Sequence, residues 1–381
     1  MRGHKVVKLL VLMTKIKNIG REIVELGNTD IEFACGQRMK NRFMLAPLTN
    51  CQSHEDGTLS EAEFHWLTLR AKGQFGMTMT CAAHVQAVGQ GFPGQLGIFS
   101  DRHIEGHKRL AAAIKAEHSL AVAQLHHAGM RSPADLIGTE PVCPSADAET
   151  GARALSLQEV KQLRDDFIAA AVRSQDSGYD GVEVHGAHGY VVCQFLSDTY
   201  NRRDDEYGGS LENRARLLFE IVEGIRAACG SDFLLGVRLS PERFGMRLQE
   251  ALTICQRLID GGMTDFLDIS LWDSFKMPAE EDFQNKSLLA HFADLPRGKV
   301  RLTVAGKIMS AENVKDVLAA GVDFVAIGRG AILHHDFPLR AMGDPNFAPV
   351  SLPVTRQYLA SEGLSDTFIE YMNAWKGFVA D

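Results

Sequence analysis

Two imidazoles and a phenol fall within six residues in His185-Gly-Ala-His188-Gly-Tyr190. Histidines three apart can both aim at one ligand atom: as neutral rings they offer a pair of N–H donors, and at a metal they become ligands. Tyr190 adds a hydroxyl that can give up a proton. With Asp268, on a later apolar run, the same two histidines would make the ligand set of a metal-dependent hydrolase. A donor pair for a substrate oxygen and a metal-bound water are thus both open readings.

The cluster follows Gly181-Val-Glu-Val, a short apolar run that reads as a buried strand. Groups placed where a strand stops are held by rigid backbone yet reach a loop-lined opening. Further runs of this kind begin at Phe43, Met77, Leu120, Leu234, Phe266, Arg301 and Phe324, making eight in all. Helical periodicity lies between them, at 60–71, 104–117, 156–174, 211–228, 249–260 and 311–320. Ser60 with Glu63 and Ser210 with Asn213 mark helix starts, and Gly178, Gly230, Gly261 and Gly321 mark ends.

Eight near-continuous apolar strands alternating with helices predict an α/β fold: a parallel sheet buried on both faces and closed as a (β/α)8 TIM barrel. An open doubly wound sheet is the competitor, but Ala46-Pro-Leu-Thr49 after the first strand carries no glycine-rich dinucleotide fingerprint. The expected division is an N-terminal tail at 1–25, a single barrel domain at 26–340 and a C-terminal helical extension at 341–381. Met13 offers an alternative start.

Such barrels do their chemistry at the carboxyl ends of the strands, which here carry Thr49, His84, Gln124, His185, Arg238, Ser270, Gly306 and Arg329. Gly306 and Gly328-Arg329 close strands seven and eight, a common phosphate site: glycine admits backbone N–H groups and a guanidinium clamps two oxygens. Arg238 interrupts an otherwise apolar strand and needs an anionic partner, either a ligand or Glu183 or Asp268.

The 381 residues, 45% hydrophobic and 23% charged, can bury a large core. A net charge of -8 without a basic stripe argues against nucleic acid and for a small-molecule partner. No run of eighteen apolar residues predicts a membrane span, and the N-terminal apolar patch has no evident cleavage site. Seven scattered cysteines without a CxxC spacing read as reduced thiols of a cytoplasmic protein.

From Lys40 to Arg340 the chain resembles the Old Yellow Enzyme family of FMN-dependent oxidoreductases. The resemblance is carried by Asn41-Arg-Phe with Ala46-Pro-Leu-Thr, Gln124-Leu-His-His-Ala-Gly, His185-Gly-Ala-His-Gly-Tyr, Tyr207-Gly-Gly-Ser-Leu-Glu-Asn-Arg, Gly236-Val-Arg-Leu-Ser-Pro and Ile327-Gly-Arg, in that order. Some relatives append an iron–sulfur portion; this chain ends without that cysteine cluster and is expected to be a stand-alone barrel.

The resemblance implies a role for each matching residue. Ala46, Pro47, Leu48 and Ala82 would pack along FMN, Thr49 would place its hydroxyl near flavin O4 and N5, and Gln124 would read the pyrimidine edge. Arg238 would face N1 and the C2 carbonyl, where negative charge gathers in the reduced ring, and Gly306, Gly328 and Arg329 would hold the phosphate. His185 and His188 would polarise a substrate carbonyl or nitro oxygen and Tyr190 would protonate the α-carbon. Two departures stand out. Some short relatives carry cysteine where Thr49 stands, and many carry arginine where this chain has Met130, followed by Arg131.

The resulting expectation is an NAD(P)H-dependent ene-reductase of activated alkenes, quinones or nitro compounds, with NADPH or NADH as reductant, no metal, and a possible homo-oligomer by analogy. The alternatives are an FMN-dependent amine dehydrogenase or demethylase on the same barrel and a non-catalytic phosphate-ligand-binding barrel.

Overall fold

The computed structural model describes residues 29–380; the tail expected at 1–25 lies outside the described residues. Eight parallel strands close into a barrel: β1 (Phe43–Leu45), β2 (Met77–His84), β3 (Leu120–His126), β4 (Gly181–Gly186), β5 (Leu234–Leu239), β6 (Phe266–Ser270), β7 (Arg301–Ala305) and β8 (Phe324–Ile327). They pair in chain order, and β8 returns to β1 through Ile327 opposite Leu45. Every residue of β3, β4, β5 and β6 is buried, so these strands show a continuous apolar run rather than an alternation, as a sheet covered on both faces requires.

Helices between the strands include α1 (Glu61–Lys72), α2 (Ile104–Ala116), α3 (Leu157–Asp176), α4 (Leu211–Cys229), α5 (Leu248–Gly261), α6 (Leu288–Ala293) and α7 (Ala311–Ala319). Ser60 Oγ accepts from the Glu63 N–H and Ser210 Oγ from the Asn213 N–H, as their spacing predicts. One predicted end shifts: α5 runs through Gly261, and Gly262, at φ +61, takes the left-handed cap.

A hairpin of Ile31–Glu32 with Arg38–Met39 plugs the amino end of the barrel. Its Phe33 packs with Phe266 and Phe324, ring centroids 6.0 and 5.8 Å away. The interior there is so full that a Cβ at Gly236 would lie 2.1 Å from the Phe266 ring. With that end sealed by aromatic packing, the opposite end is left open for polar side chains.

Strand register then sets the neighbours at the open end. His185 of β4 stands opposite Arg238 of β5, and Arg238 opposite Asp268 of β6. One layer deeper, Ala82, Gln124 and Glu183 follow one another across β2, β3 and β4.

After β8, helices Arg356–Ser361 and Asp366–Asn373 run back over the barrel. Phe368 anchors the second of them by packing edge-on to Trp66 of α1, with centroids 5.4 Å apart. No helix among the described residues is long and apolar enough to cross a membrane.

Candidate active site

A cavity of about 670 Å³ opens at the carboxyl ends of the strands. Of the residues singled out in the sequence, Pro47, Leu48, Thr49, Ala82, Gln124, His185, His188, Tyr190, Arg238 and Arg329 line it, and Ala46, Gly306 and Gly328 do not. Ala46 spends its N–H on Ile327 O of β8. At Gly306 a Cβ would meet the backbone of Trp272 to Ser274 at about 3.0 Å, so close approach of the β6 loop already calls for glycine there. His84 also stays out of the cavity: its Nδ1 lies 2.9 Å from Gln86 O, and burial lowers its pKa to about 4.

The histidines form a directed chain. His185 Nδ1 accepts from the Ala187 N–H at 3.2 Å, which leaves the proton of the neutral ring on Nε2. That nitrogen lies 3.3 Å from His188 Nδ1, and His188 Nε2 in turn lies 2.6 Å from Ser270 Oγ. Each ring therefore carries its proton on Nε2. Burial holds the pKa of both well below the usual histidine value, His188 and Arg238 adding to the effect at His185, and Arg238 and Arg131 at His188. The rings are neutral donors at physiological pH, with one donor turned to its neighbour and the other to a serine.

Tyr190 closes the cluster, its ring centroid 5.1 Å from that of His185 and 4.4 Å from that of His126. Arg131 lies over the Tyr190 ring at 4.7 Å and donates to His188 O at 2.5 Å, so the arginine that follows Met130 fixes both Tyr190 and the His188 backbone.

The floor is polar and buried. Arg238 Nε stands 3.1 Å from Asp268 Oδ2, which is ion-pair distance, although neither atom has a hydrogen bond of good geometry among the described residues. The structural partner foreseen for Arg238 is thus present, and Arg238 still lines the cavity. Gln124 Nε2 donates to Glu183 Oε1 at 2.7 Å.

Sequence reading missed part of the mouth. Arg243, Phe244 and Trp272 line it from the loops after β5 and β6, all with positive φ (72°, 55° and 64°), and strained backbone of this kind gathers at functional sites. Arg243 lies over the Trp272 ring at 4.8 Å. Tyr371 and Met372 reach the cavity from the C-terminal helix and Trp375 from just past its end. The rule that chemistry sits at strand ends could have flagged Trp272, two residues past Ser270. Loops add Phe92 from 89–97 and Asp147, Glu149 and Thr150 from the segment before β4.

Cys51, two residues past Thr49, does not line the cavity, and burial and then Glu63 push its thiol up to about 11. The set His185, His188 and Asp268 does not form a ligand cluster among the described residues. The one group there whose ligand atoms lie within 4.8 Å of one another, His335, Asp336 and Glu362, lies away from this cavity.

The profile of the NADH:flavin oxidoreductase / NADH oxidase family matches residues 31–344. The solved structure of an Old Yellow Enzyme homologue from Zymomonas mobilis superposes with a TM-score of 0.75 at 28% identity, covering 89% of this chain and 98% of that one. The chain belongs to the Old Yellow Enzyme family. It is 36% identical over 319 residues to a probable NADH-dependent flavin oxidoreductase of Bacillus subtilis (strain 168), covering 81% of this chain and 85% of that protein. An NADH:fumarate oxidoreductase of Klebsiella pneumoniae (strain 342) is 32% identical over 321 residues; the match spans 80% of this chain but 34% of that longer protein. The protein is an NAD(P)H-dependent flavin oxidoreductase with FMN as its cofactor.

The cavity of this Old Yellow Enzyme relative fits the cofactor. Its volume is in the range of small-molecule and cofactor sites. Its floor offers the guanidinium of Arg238, whose terminal nitrogens make no hydrogen bond among the described residues, and an amide held from behind by Glu183, and apolar Leu48 and Ala82 supply a face for a flat ring.

Proposed function

We propose that this flavoprotein is an ene-reductase working by a ping-pong cycle, in which NADH or NADPH enters and leaves before an α,β-unsaturated carbonyl, quinone or nitro compound occupies the same cavity. FMN, when bound, would supply the two-electron chemistry, accepting a hydride from the nicotinamide and giving it to the acceptor. In this reading Pro47, Leu48, Thr49, Ala82, Gln124, Arg238 and Arg329 line its site, with Ala46, Gly306 and Gly328 just behind.

The observation that carries the reading is the neutral donor pair His185 and His188, placed beside Tyr190 and Arg238 on one cavity wall. A substrate oxygen that drew these N–H groups from His188 Nδ1 and Ser270 Oγ would gain negative charge as the β-carbon is reduced, and two donors held on that wall would favour the enolate over the ground-state carbonyl. A neutral imidazole does this without surrendering its proton. The proton for the α-carbon comes from the Tyr190 hydroxyl, with the ring held under Arg131. Arg131 and Arg238 act on the histidines and Arg243 lines the same cavity, and this positive charge disfavours a cationic amine as substrate. Relatives named for fumarate and acrylate support an activated C=C bond as the reacting group.

The anaerobic visible spectrum tests the proposal. Flavin absorbance should bleach on adding NADPH or NADH and return on adding cyclohexenone. Bleaching without return on any enone, quinone or nitro acceptor would remove the ene-reductase reading.

A further inference from the structure

Two acids lie behind the cavity floor and do not line it. Glu183 and Asp268 are both fully buried, and each sits behind a floor residue that does reach the cavity: Glu183 behind Gln124, and Asp268 behind Arg238. Burial of two carboxyl groups costs enough that their presence there calls for an account beyond packing.

Each acid removes an ambiguity in the residue before it. A glutamine amide can turn over about its last bond and offer a cavity either its carbonyl or its NH2. Glu183 Oε1 takes the Gln124 Nε2 at 2.7 Å, and among the described residues no donor reaches Gln124 Oε1, so the carbonyl is the end left for a ligand. Burial, with Asp268 nearby, pushes the Glu183 carboxyl up to about 8. Oε1 accepts from Gln124 in either protonation state, and Oε2 faces no partner among the described residues. Arg238 is a planar fork whose edges present different nitrogens. With Nε turned to Asp268, its terminal nitrogens are the part directed at the cavity.

We propose that Glu183 and Asp268 are positioning residues that decide which atoms the floor presents, the carbonyl oxygen of Gln124 as an acceptor and the terminal nitrogens of Arg238 as donors. Acceptor beside donor matches a heterocyclic edge with an N–H next to a carbonyl. This rests on the reading that Gln124 and Arg238 face the pyrimidine edge of FMN.

The test compares FMN with N3-methyl-FMN, which lacks the N–H, by fluorescence quenching on titrating the full-chain apoprotein. Wild type should bind FMN about tenfold more tightly than the methyl analogue, the worth of one hydrogen bond. Glu183→Gln retains an acceptor carbonyl at the same place and should keep that ratio. Glu183→Leu, in which an apolar group replaces a buried acid, should let the amide turn and bring the ratio to within about twofold. Glu183→Met gives a second test should Leu fail to fold. An undiminished ratio in Leu or Met overturns the role of Glu183 and leaves the flavin reading intact. A wild-type protein that binds both flavins equally also overturns it, and one that binds neither defeats the flavin reading itself.

Discussion

His188 Nε2 lies 2.6 Å from Ser270 Oγ, so the donor of His188 is engaged by the β6 strand end. The donor of His185 meets His188 Nδ1 at a longer 3.3 Å. On the ene-reductase reading a substrate oxygen would displace the weaker contact more readily, so His185 would be the first donor recruited while Ser270 directs the His188 Nε2 proton.

His185→Ala should therefore reduce enone turnover far more than flavin reduction. Loss of one preorganised donor to a developing oxyanion costs roughly 10²–10³ in rate. Stopped-flow measurement of the two half-reactions should show about that loss with cyclohexenone and a change of about twofold or less with NADPH. An equal fall in both would assign His185 to holding the cavity together.

Ser270→Ala should act more mildly and in a different way. Without its acceptor the His188 Nε2 proton loses its fixed direction, and kcat/KM for cyclohexenone should drop about tenfold, the worth of one hydrogen bond. Binding of a phenol, followed by its long-wavelength absorbance band, should weaken in parallel. Unchanged phenol affinity would show that Ser270 does not set the donor.

The buried acids and the buried histidines give stability opposite pH dependences. His185 and His188 have folded pKa values below the unfolded value near 6.5, so their contribution is present above that pH and is lost as pH falls through it. Glu183 is raised from 4.5 to about 8, so the folded protein binds its proton more tightly than the unfolded chain does. Its contribution is fully present below pH 4.5 and declines as pH rises towards 8. Glu183→Gln removes only the second effect. In urea unfolding of the apoprotein, the variant should gain on wild type steadily from pH 5 to pH 8; parallel curves would place the Glu183 pKa near its ordinary value.

Much of this was legible in the sequence, for a physical reason. Parallel strands covered on both faces must be apolar throughout, so all eight stood out, and the rule that barrels work at strand ends brought Gln124, His185, Arg238 and Arg329 to one cavity. The hairpin that plugs the barrel did not stand out because two-residue strands are too short to show a period. Nor did α6, with six residues. Close approach of the β6 loop calls for glycine at Gly306 whether or not it also cradles phosphate, and the sequence does not separate the two causes; at Gly328 a Cβ would meet only Leu48, at 3.6 Å. Tyr371 and Trp375 carry no local mark: they sit on an ordinary amphipathic stretch, and only the packing of Phe368 on Trp66 brings them to the cavity.

Asp268 should tune the flavin as well as hold Arg238. Asp268→Asn keeps the shape but leaves the guanidinium uncompensated 3.1 Å away, which favours the electron-rich form of a ring beside it. The two-electron midpoint potential should rise by about 30 mV or more, equivalent to about 1.4 kcal/mol. A dye-equilibration titration reads this directly, and a fall in potential would mean that Arg238 does not face the ring.

The C-terminal helix separates stability from selectivity at two aromatic positions. Phe368 is fully buried against Trp66, so Phe368→Ala leaves a cavity and should cost about 3–5 kcal/mol. Trp375 is 44% exposed and stands at the rim beside Tyr371, ring centroids 6.4 Å apart, so its removal opens the mouth at little cost to folding. Trp375→Ala should leave the melting temperature nearly unchanged and raise kcat/KM for aryl-substituted enones relative to cyclohexenone. Phe368→Ala should do the reverse, lowering the melting temperature and depressing turnover of every acceptor alike. If Trp375→Ala left the ratio between large and small enones untouched, the C-terminal helix would cover the cavity without selecting what enters it.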